Sequence, residues 1–326
     1  MAAIEQLQSG LWRARVRRKN YPTQSKSFVL KSEAEGWARK VESEQERGVW
    51  RDSSEAESTT LTECLDRYVR EHVAHRRDPA RERSHVDALR ALPFAGRAMA
   101  RIRSADVAAA RDAWAAAGHA PATIVRRLAV LSRVFNVARR EWGMESLANP
   151  VEVIAKPRVA NARARRVSDA EIETLCAATG SAELASFIHV AVETAMRRGE
   201  LCALRWKNVD LHARTAHLPS VDTKTYQSRT VPLSSRAVEV LRTLPRRLDG
   251  RLFSMRPDSV TQALARAAAR AGIENVRVHD LRHEATSRLA DKLQAHELAK
   301  VTGHRDMRMV LRYYHPRASD LAKKLG

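Results

Sequence analysis

The stretch from residue 277 to residue 316 constrains this chain more than any other part of its sequence. Within it, His279 and Arg282 lie three positions apart. Residues at that spacing share one face of a helix, so an imidazole and a guanidinium can address the same ligand atoms. We therefore predict a helix here that presents two polar side chains to one site.

The same stretch continues with a second helical run and a turn. This run begins near Gln294 and ends at Gly303, a residue type typical of helix C-termini, which leaves His304 exposed at the turn. Tyr313 follows on a short helix that we predict from about Asp306. Two imidazoles, a guanidinium and a phenol can then meet in a small volume. Such a set suits phosphate chemistry with an oxygen nucleophile.

The composition indicates a partner rather than a fold. The chain has 326 residues, enough for two or three domains with their own cores. It carries 58 Lys and Arg against 38 Asp and Glu, a formal net charge of +20. This excess favours a polyanionic partner whose binding depends strongly on salt. The alternative is a basic surface that only water solvates.

The cysteines and the apolar segments favour a soluble, cytoplasmic protein with no membrane partner. No two cysteines stand at metal-ligand spacing, so we expect small buried side chains in a reducing compartment. The N-terminus has no basic region followed by an apolar one. No apolar run approaches the roughly 20 residues that a membrane helix needs.

Residues 1–57 are predicted to form a separate small module of three strands and one helix. The strands are Ile4–Leu7, Leu11–Arg17 and Gln24–Leu30, and the helix is Ser32–Arg47. Alternation along the second strand places Arg13, Arg15 and Arg17 on one face of the sheet. That face is either solvated or laid in a DNA groove, a known way for a sheet to bind DNA.

Residues 58–154 are predicted to be an all-helical domain. Thr60 and Glu63 have the spacing of a capping box at the start of its first helix, which we expect to reach about His75. Its last helix has an apolar stripe at spacings of four, three and four: Ile124, Leu128, Leu131 and Phe135. This spacing is typical of a helix face that packs in a core.

Residues 155–166 are predicted to be a linker, and residues 167–326 a mixed α+β domain. The linker has five basic residues and no acidic one: Lys156, Arg158, Arg163, Arg165 and Arg166. We expect it to lie along a phosphate backbone, since a linker that only joined domains would not need this charge. In the following domain, two strand-like runs flank a turn that carries Lys224. The whole chain is thus predicted to be multidomain and mainly α-helical.

A short basic junction joins two helices of the last domain. Gly199 permits a tight turn there, and Glu200 can hold a neighbouring arginine, Arg197 or Arg198, by a charge-assisted pair. Taken alone, this junction is more typical of a surface salt-bridge cluster. Lys224 alone is likewise typical of a solvated turn.

Taken together, these residues resemble the tyrosine recombinase (phage integrase) family. Family members carry, in order, TGxRxxEL, a hairpin lysine, HxxR, GH and a tyrosine shortly beyond that histidine. This sequence has TAMRRGEL, Lys224, HDLR, GH and Tyr313 in the same order. The match covers about residues 167–316 and is highly specific. One departure is Ala195, where glycine is usual.

The resemblance implies a complete set of reacting groups. These are Arg197, Lys224, His279, Arg282, His304 and Tyr313, with Glu200 in support. The match selects Arg197 rather than Arg198. It also selects Tyr313 rather than Tyr314 as the nucleophile. In such a site the arginines neutralise a pentacoordinate phosphorane, the lysine protonates the departing 5′-hydroxyl, and the first histidine with the arginines activates the tyrosine.

The resemblance also implies the domain roles and the partners. The helical domain and the N-terminal module resemble, with weaker motifs, the core-binding (SAM-like) and arm-type DNA-binding domains of lambda-type integrases. We expect double-stranded DNA recombination sites as substrate, a homotetramer on synapsed DNA, and an accessory DNA-bending or directionality factor. The expected reaction passes through a 3′-phosphotyrosine, needs no cofactor and no metal, and integrates or excises a prophage or another mobile element.

Three other classes of protein share some of these features. The sequence from His279 to His283 echoes the HExxH helix of zinc hydrolases, but its acid is Asp280 and no third ligand stands out. A non-catalytic DNA-binding regulator on the same fold is disfavoured because all six reacting positions are filled. A type IB topoisomerase would share the chemistry without needing an arm-type module.

Overall fold

The computed structural model describes residues 2–75, 79–159, 165–223 and 227–314. The chain forms two compact units, Met1–Asn161 and Ala162–Gly326, so the division falls inside the stretch predicted as a linker. In their described residues, each unit contains one three-stranded antiparallel sheet and a set of helices. This agrees with the predicted mainly helical fold.

The first unit begins with the predicted sheet and helix. These elements are β1 (Ala2–Gln6), β2 (Trp12–Val16), β3 (Gln24–Phe28) and α1 (Lys31–Glu46). The central strand β2 pairs with both neighbours, and its Ala14 and Val16 are buried in the core that α1 covers. Because side chains alternate along a strand, Arg13 and Arg15 lie on the opposite face. Arg17 is exposed just beyond the end of β2.

The rest of the first unit is helical, as predicted. Its helices are α2 (Ser54–Ser58), α3 (Leu61–Tyr68), α4 (Pro79–Arg90), α5 (Ser104–Ala116) and α6 (Pro121–Glu141). The capping box is present, since the Thr60 N–H donates to the Glu63 carboxylate at 2.7 Å. After α3 the chain continues as a π-helical turn, Val69–Val73, and not as an α-helix to His75. The predicted stripe on α6 is buried.

The second unit packs eight helices and a sheet of short strands among its described residues. The helices are α7 (Asp169–Ala178), α8 (Ala182–Thr194), α9 (Arg198–Ala203), α10 (Ser235–Thr243), α11 (Pro257–Arg270), α12 (Val278–Ala290), α13 (Ala295–Thr302) and α14 (Met307–Leu311). The strands are β4 (Val209–Asp210), β5 (Thr215–Leu218) and β6 (Arg229–Pro232). The two-residue β4 was not predicted, because so short a strand has no periodicity to detect.

Helix α8 lies at the centre of this unit, in contact with α7, α10 and α12. Phe187 on α8 packs edge-to-face against Phe253, with ring centroids 5.2 Å apart. Because α8 is surrounded on several sides, its C-terminal end is held beside α12, where the reacting side chains lie. Within the four described ranges, no helix combines the length and apolar composition needed to cross a membrane.

Candidate active site

Helix α12 presents three polar side chains towards one site. His279, Arg282 and His283 stand at positions i, i+3 and i+4, so they share a face as predicted for the first two. The Asp280 carboxylate accepts a hydrogen bond from the Arg277 N–H at 2.8 Å and caps the start of the helix. Arg282 is only 5% exposed, which makes it a buried cation.

Three consecutive carbonyl groups at the end of α13 each accept a hydrogen bond from a different arginine. Arg229 Nε donates to Val301 at 3.0 Å, Arg282 Nη2 to Thr302 at 2.7 Å, and Arg197 Nη2 to Gly303 at 3.1 Å. The last carbonyls of a helix have no partner within it and carry partial negative charge. The end of α13 therefore holds three guanidinium groups close together in fixed orientations.

Arg282 makes a second contact, with the end of α8. Its Nη1 donates to the carbonyl of Ala195, whose backbone is left-handed at φ 51° and ψ 21°. We expected Gly199 to supply the tight turn here, and that expectation was wrong: Gly199 lies inside α9, and the positive φ belongs to Ala195. Burial, with the nearby charge of Arg197, lowers the pKa of Arg282 to about 9, so the guanidinium remains charged at neutral pH.

Glu200 joins two of the arginines. It is 2% exposed, and it accepts hydrogen bonds from Arg197 Nη1 at 2.9 Å and from Arg229 Nη2 at 2.6 Å. Burial alone would raise the pKa of Glu200, but the hydrogen bonds and charge of Arg229, and then of Arg197, outweigh it and keep this pKa below its usual value. Glu200 is therefore an ionised carboxylate that orients the two guanidinium groups.

Arg197 and Arg198 point to different places. Arg197 reaches Glu200 and Gly303, whereas Arg198 bonds to the hydroxyl of Thr261 and lies 3.4 Å from the Asp258 carboxylate. The structure therefore places Arg197, and not its neighbour, with the other guanidinium groups.

His304 lies two positions after the end of α13 and is half-buried, although we expected it to be exposed. Its Nδ1 lies 2.6 Å from the hydroxyl of Thr302, which also lies 2.6 Å from the carbonyl of Leu298. A carbonyl only accepts, so the hydroxyl donates to Leu298 and Nδ1–H donates to the hydroxyl. Burial, with the charges of Arg282 and Arg197, lowers the pKa of His304 to about 4, which leaves a neutral ring with Nε2 as its acceptor.

We predicted that Tyr313 lies on α14, and this was wrong. The helix ends at Leu311, and Tyr313 lies in the turn that follows it. Its hydroxyl contacts Nδ1 of His283, and the two rings are stacked with centroids 5.6 Å apart. Burial raises the pKa of Tyr313, and Arg312 and Arg282 oppose that rise only in part. The phenol is therefore protonated at neutral pH.

Unlike His283, His279 makes no hydrogen bond to the Tyr313 hydroxyl among the described residues. Its ring packs edge-to-face on His283, with centroids 4.6 Å apart. The side chain keeps one side open to solvent, but loss of water around the rest of the ring, with the neighbouring His283 and Arg282, lowers the pKa of His279 to about 4. At neutral pH this imidazole is uncharged.

The structure thus brings together five of the six predicted reacting side chains, and the predicted supporting residue Glu200 lies with them. Lys224, the sixth, lies outside the described residues. Two further participants, Arg229 and His283, were not predicted. His283 had a signal in the sequence, since it stands four positions after His279 on the same helix face. Arg229 had no such signal in the sequence, because its partner Glu200 is distant along the chain.

The predicted DNA-contacting arginines of the N-terminal sheet lie on or next to one face of it. Arg13 Nε donates to Glu5 on β1 at 2.8 Å, across a directly paired position. Arg15 is half-buried on the same face, and Arg17 is exposed beyond it. This face therefore carries more positive than negative charge.

The linker residues fall into two groups. Lys156 and Arg158 are exposed, and Arg163 lies outside the part of the chain that the structure describes. Arg165 Nη2 donates to Glu171 and Arg166 Nε donates to Glu284, both at 2.6 Å. These two arginines, for which we predicted phosphate contacts, form ion pairs with carboxylates of their own unit.

The described residues contain no group of three or more His, Cys, Asp or Glu side chains arranged to hold a metal ion. His279 and His283, the pair that echoes a zinc-hydrolase helix, contact each other ring to ring.

Known proteins share both the sequence and the fold of this chain. Residues 165–320 match the phage integrase family. A shufflon-specific DNA recombinase of Escherichia coli is 38% identical over 277 residues, which are 82% of this chain and 71% of that protein. The Tn1549 transposon integrase in complex with a circular intermediate DNA has a TM-score of 0.68 at 16% identity, over 82% of this chain and 99% of that one. A lambda integrase tetramer bound to a Holliday junction has a TM-score of 0.64 at 19% identity, over 93% and 95% of the two chains.

The chain belongs to the phage integrase family of tyrosine recombinases, as its motifs predicted. It is an enzyme, a tyrosine-type site-specific DNA recombinase. Its fold, with a small N-terminal sheet, a helical region and a mixed α+β region, is that of the solved integrases.

Proposed function

We propose that this recombinase cleaves DNA through Tyr313, forming a 3′-phosphotyrosine and a free 5′-hydroxyl, and then rejoins the strand to a new partner. The observation that carries the proposal is the cluster at the end of α13. There Arg197 and Arg282 are held by adjacent carbonyls, and Tyr313 lies beside His304 with ring centroids 6.5 Å apart. A nucleophile and two fixed cations are what a phosphoryl transfer needs.

The two arginines stabilise the transition state by charge. A phosphorane carries more negative charge on its non-bridging oxygens than the phosphodiester does, so cations fixed in advance favour it. Each guanidinium has five N–H groups, and the described hydrogen bonds of Arg282 use two of them. The remaining donors of both arginines can bind phosphate oxygens without a large rearrangement.

His304 and Lys224 are the proposed proton donors of the reaction. With Nδ1–H engaged by Thr302, neutral His304 accepts a proton at Nε2 when the negative phosphate approaches, and then donates to a phosphate oxygen. Lys224 remains the proposed acid for the departing 5′-hydroxyl, on the grounds of the motif alone. Because the phosphotyrosine retains the energy of the phosphodiester, rejoining needs no ATP, and the protein cations remove the need for a metal.

We propose that the enzyme acts as a tetramer on two synapsed recombination sites and exchanges strands through a four-way junction. The similarity to the lambda integrase tetramer on a Holliday junction supports this assembly. The biological substrate we propose is a mobile element or another invertible or integrating segment, with an accessory DNA-bending or directionality factor. The shufflon-specific relative and the transposon integrase support this class of substrate.

We further propose that residues 1–57 bind arm-type DNA, that residues 58–154 bind the core site, and that residues 167–326 hold the reaction. Arg13, Arg15 and Arg17 would contact phosphates from the sheet face that α1 leaves uncovered. In the linker, the exposed Lys156 and Arg158 are the stronger proposals for phosphate contact, since Arg165 and Arg166 are ion-paired.

A nicked duplex tests the proposal. Duplexes from the DNA that flanks the gene, each with a nick close to the cleavage point, let the short 5′-hydroxyl fragment diffuse away and trap the covalent intermediate. We expect an SDS-resistant protein–DNA adduct in EDTA, lost in Tyr313→Phe and retained in the matched control Tyr314→Phe. A strict metal requirement, or an adduct that persists in Tyr313→Phe, would contradict the proposed chemistry.

A further inference from the structure

The hydroxyl of Tyr313 already has a partner suited to remove its proton. His283 Nδ1 contacts this hydroxyl, and the two rings lie nearly parallel at an interplanar angle of 30°. The tyrosine is half-buried in a small apolar cluster with Leu298 and Val310. Its hydroxyl is therefore directed to His283 by packing as well as by the hydrogen bond.

The other basic groups nearby are less suited to this task. Arginine side chains stay protonated and cannot accept a proton. His304 uses Nδ1 for Thr302, and its ring centroid is 6.5 Å from that of Tyr313. His279 packs against the His283 ring and makes no described contact with the hydroxyl. Among the described residues, His283 is the imidazole that touches the nucleophilic atom.

We propose that His283 is the general base for Tyr313, a catalytic residue beyond the six that the family motif assigns; this inference rests on the proposed function. Nδ1 of His283 takes the proton from the hydroxyl while that oxygen forms its bond to phosphorus. The bond from phosphorus to the 5′-oxygen breaks, and the 5′-oxygen takes a proton from the general acid. In the rejoining step the imidazolium returns the proton to the tyrosine oxygen.

The surroundings of His283 suit this role. For Nδ1 to accept, Nε2 must carry the ring proton of the neutral imidazole. The neighbouring groups on α12 are His279, Arg282 and Asp280. Uncharged His279 packs edge-on against the His283 ring without placing a fixed charge there. A phenol that is protonated at neutral pH and in direct contact with an imidazole meets the geometric requirement for base catalysis.

The test compares rates of adduct formation on the nicked duplex for the full chain and three variants. His283→Ala removes the base. His283→Asn keeps an acceptor near the position of Nδ1 but cannot take a proton. His296→Ala, on the exposed side of α13, is the matched control. Each variant is measured with and without free imidazole, after circular dichroism and DNA binding have established that it folds and binds as the wild type does.

We expect His283→Ala and His283→Asn to lose about 100-fold or more in rate, within the usual range for a general base, and His296→Ala to keep the wild-type rate. Imidazole should restore about tenfold to His283→Ala, whose missing ring leaves room for it, and nothing to His283→Asn. Wild-type rates in His283→Ala, or full activity in His283→Asn, would overturn the assignment. Absence of an adduct in the wild type despite binding would instead overturn the proposed function.

Discussion

Arg282 donates a hydrogen bond to the carbonyl of Ala195, a residue held in the left-handed region at φ 51°. This contact joins the end of α8 to a buried cation of the active site. A left-handed backbone costs a residue with a side chain about 1–2 kcal/mol, and glycine is the residue that avoids the cost. The recombinase therefore keeps a strained residue at a point where its own family usually has glycine.

Replacing this residue should stabilise the protein. Ala195→Gly removes the strain but adds chain entropy to the unfolded state, so we expect a net gain of up to about 1 kcal/mol in the free energy of unfolding. Urea denaturation measures the gain. Ala185→Gly, inside α8 with ordinary helical geometry, is the control and should lose about 1 kcal/mol. An equal loss in both variants would show that Ala195 carries no relievable strain.

The active site should distinguish two adjacent arginines. In Arg197→Lys, a single ammonium group cannot bond to Glu200 and to the Gly303 carbonyl as the guanidinium does, so its charge is no longer held at the phosphate. We expect cleavage to fall about 100-fold, with little loss of DNA binding. Arg198→Lys should keep its activity, and the ratio of the two cleavage rates tests the assignment. Equal losses in both variants would remove Arg197 from its proposed role.

Acid should weaken the fold through His304. Its pKa is about 4 in the folded protein and ordinarily 6.5, so the unfolded chain takes up a proton first as the pH falls. This contribution to stability is present above about pH 6.5 and is lost progressively towards pH 4. His304→Asn, which can still donate to Thr302 but cannot titrate, should show a shallower loss in urea denaturation across this range. An unchanged pH dependence would contradict a half-buried ring that is neutral in the folded protein.

The N-terminal sheet should contribute phosphate contacts that depend on salt. In Arg15→Gln, we expect weaker DNA binding and a slope of log K against log salt that is smaller by about 0.9, the value for one released counterion. Lys40→Gln, on the exposed side of α1, is the matched control and should leave the slope unchanged. Fluorescence anisotropy at several salt concentrations measures both slopes. Identical slopes for Arg15→Gln and the wild type would separate this face from the DNA.

Local signals predicted much of the fold. The capping box of Thr60 and Glu63 and the stripe that contains Leu128 depend only on neighbouring residues, so the sequence was sufficient to place the helices there. The end of α14 was predicted too far along the chain. That helix stops at Leu311, and Tyr313 packs in a small apolar cluster instead.

The unpredicted parts of the site depend on contacts between distant residues. The family motif has glycine where this chain has Ala195, so a turn could be anticipated at the end of α8, but the contact of its carbonyl with Arg282 joins residues far apart in the sequence. Arg229 gains its role from Glu200, a partner on another element. His283 did have the right spacing, but a sequence motif could not show whether the tyrosine would reach it.

The most direct test of the account identifies the residue that is linked to DNA. After trapping on the nicked duplex, nuclease and trypsin digestion should release residues 313–317, the peptide YYHPR, which contains Tyr313 and Tyr314 together. Fragmentation by tandem mass spectrometry then separates the two tyrosines. We predict a nucleotide joined through its 3′-phosphate to the first tyrosine of this peptide. A nucleotide on Tyr314, or on any residue outside the peptide, would contradict the central claim.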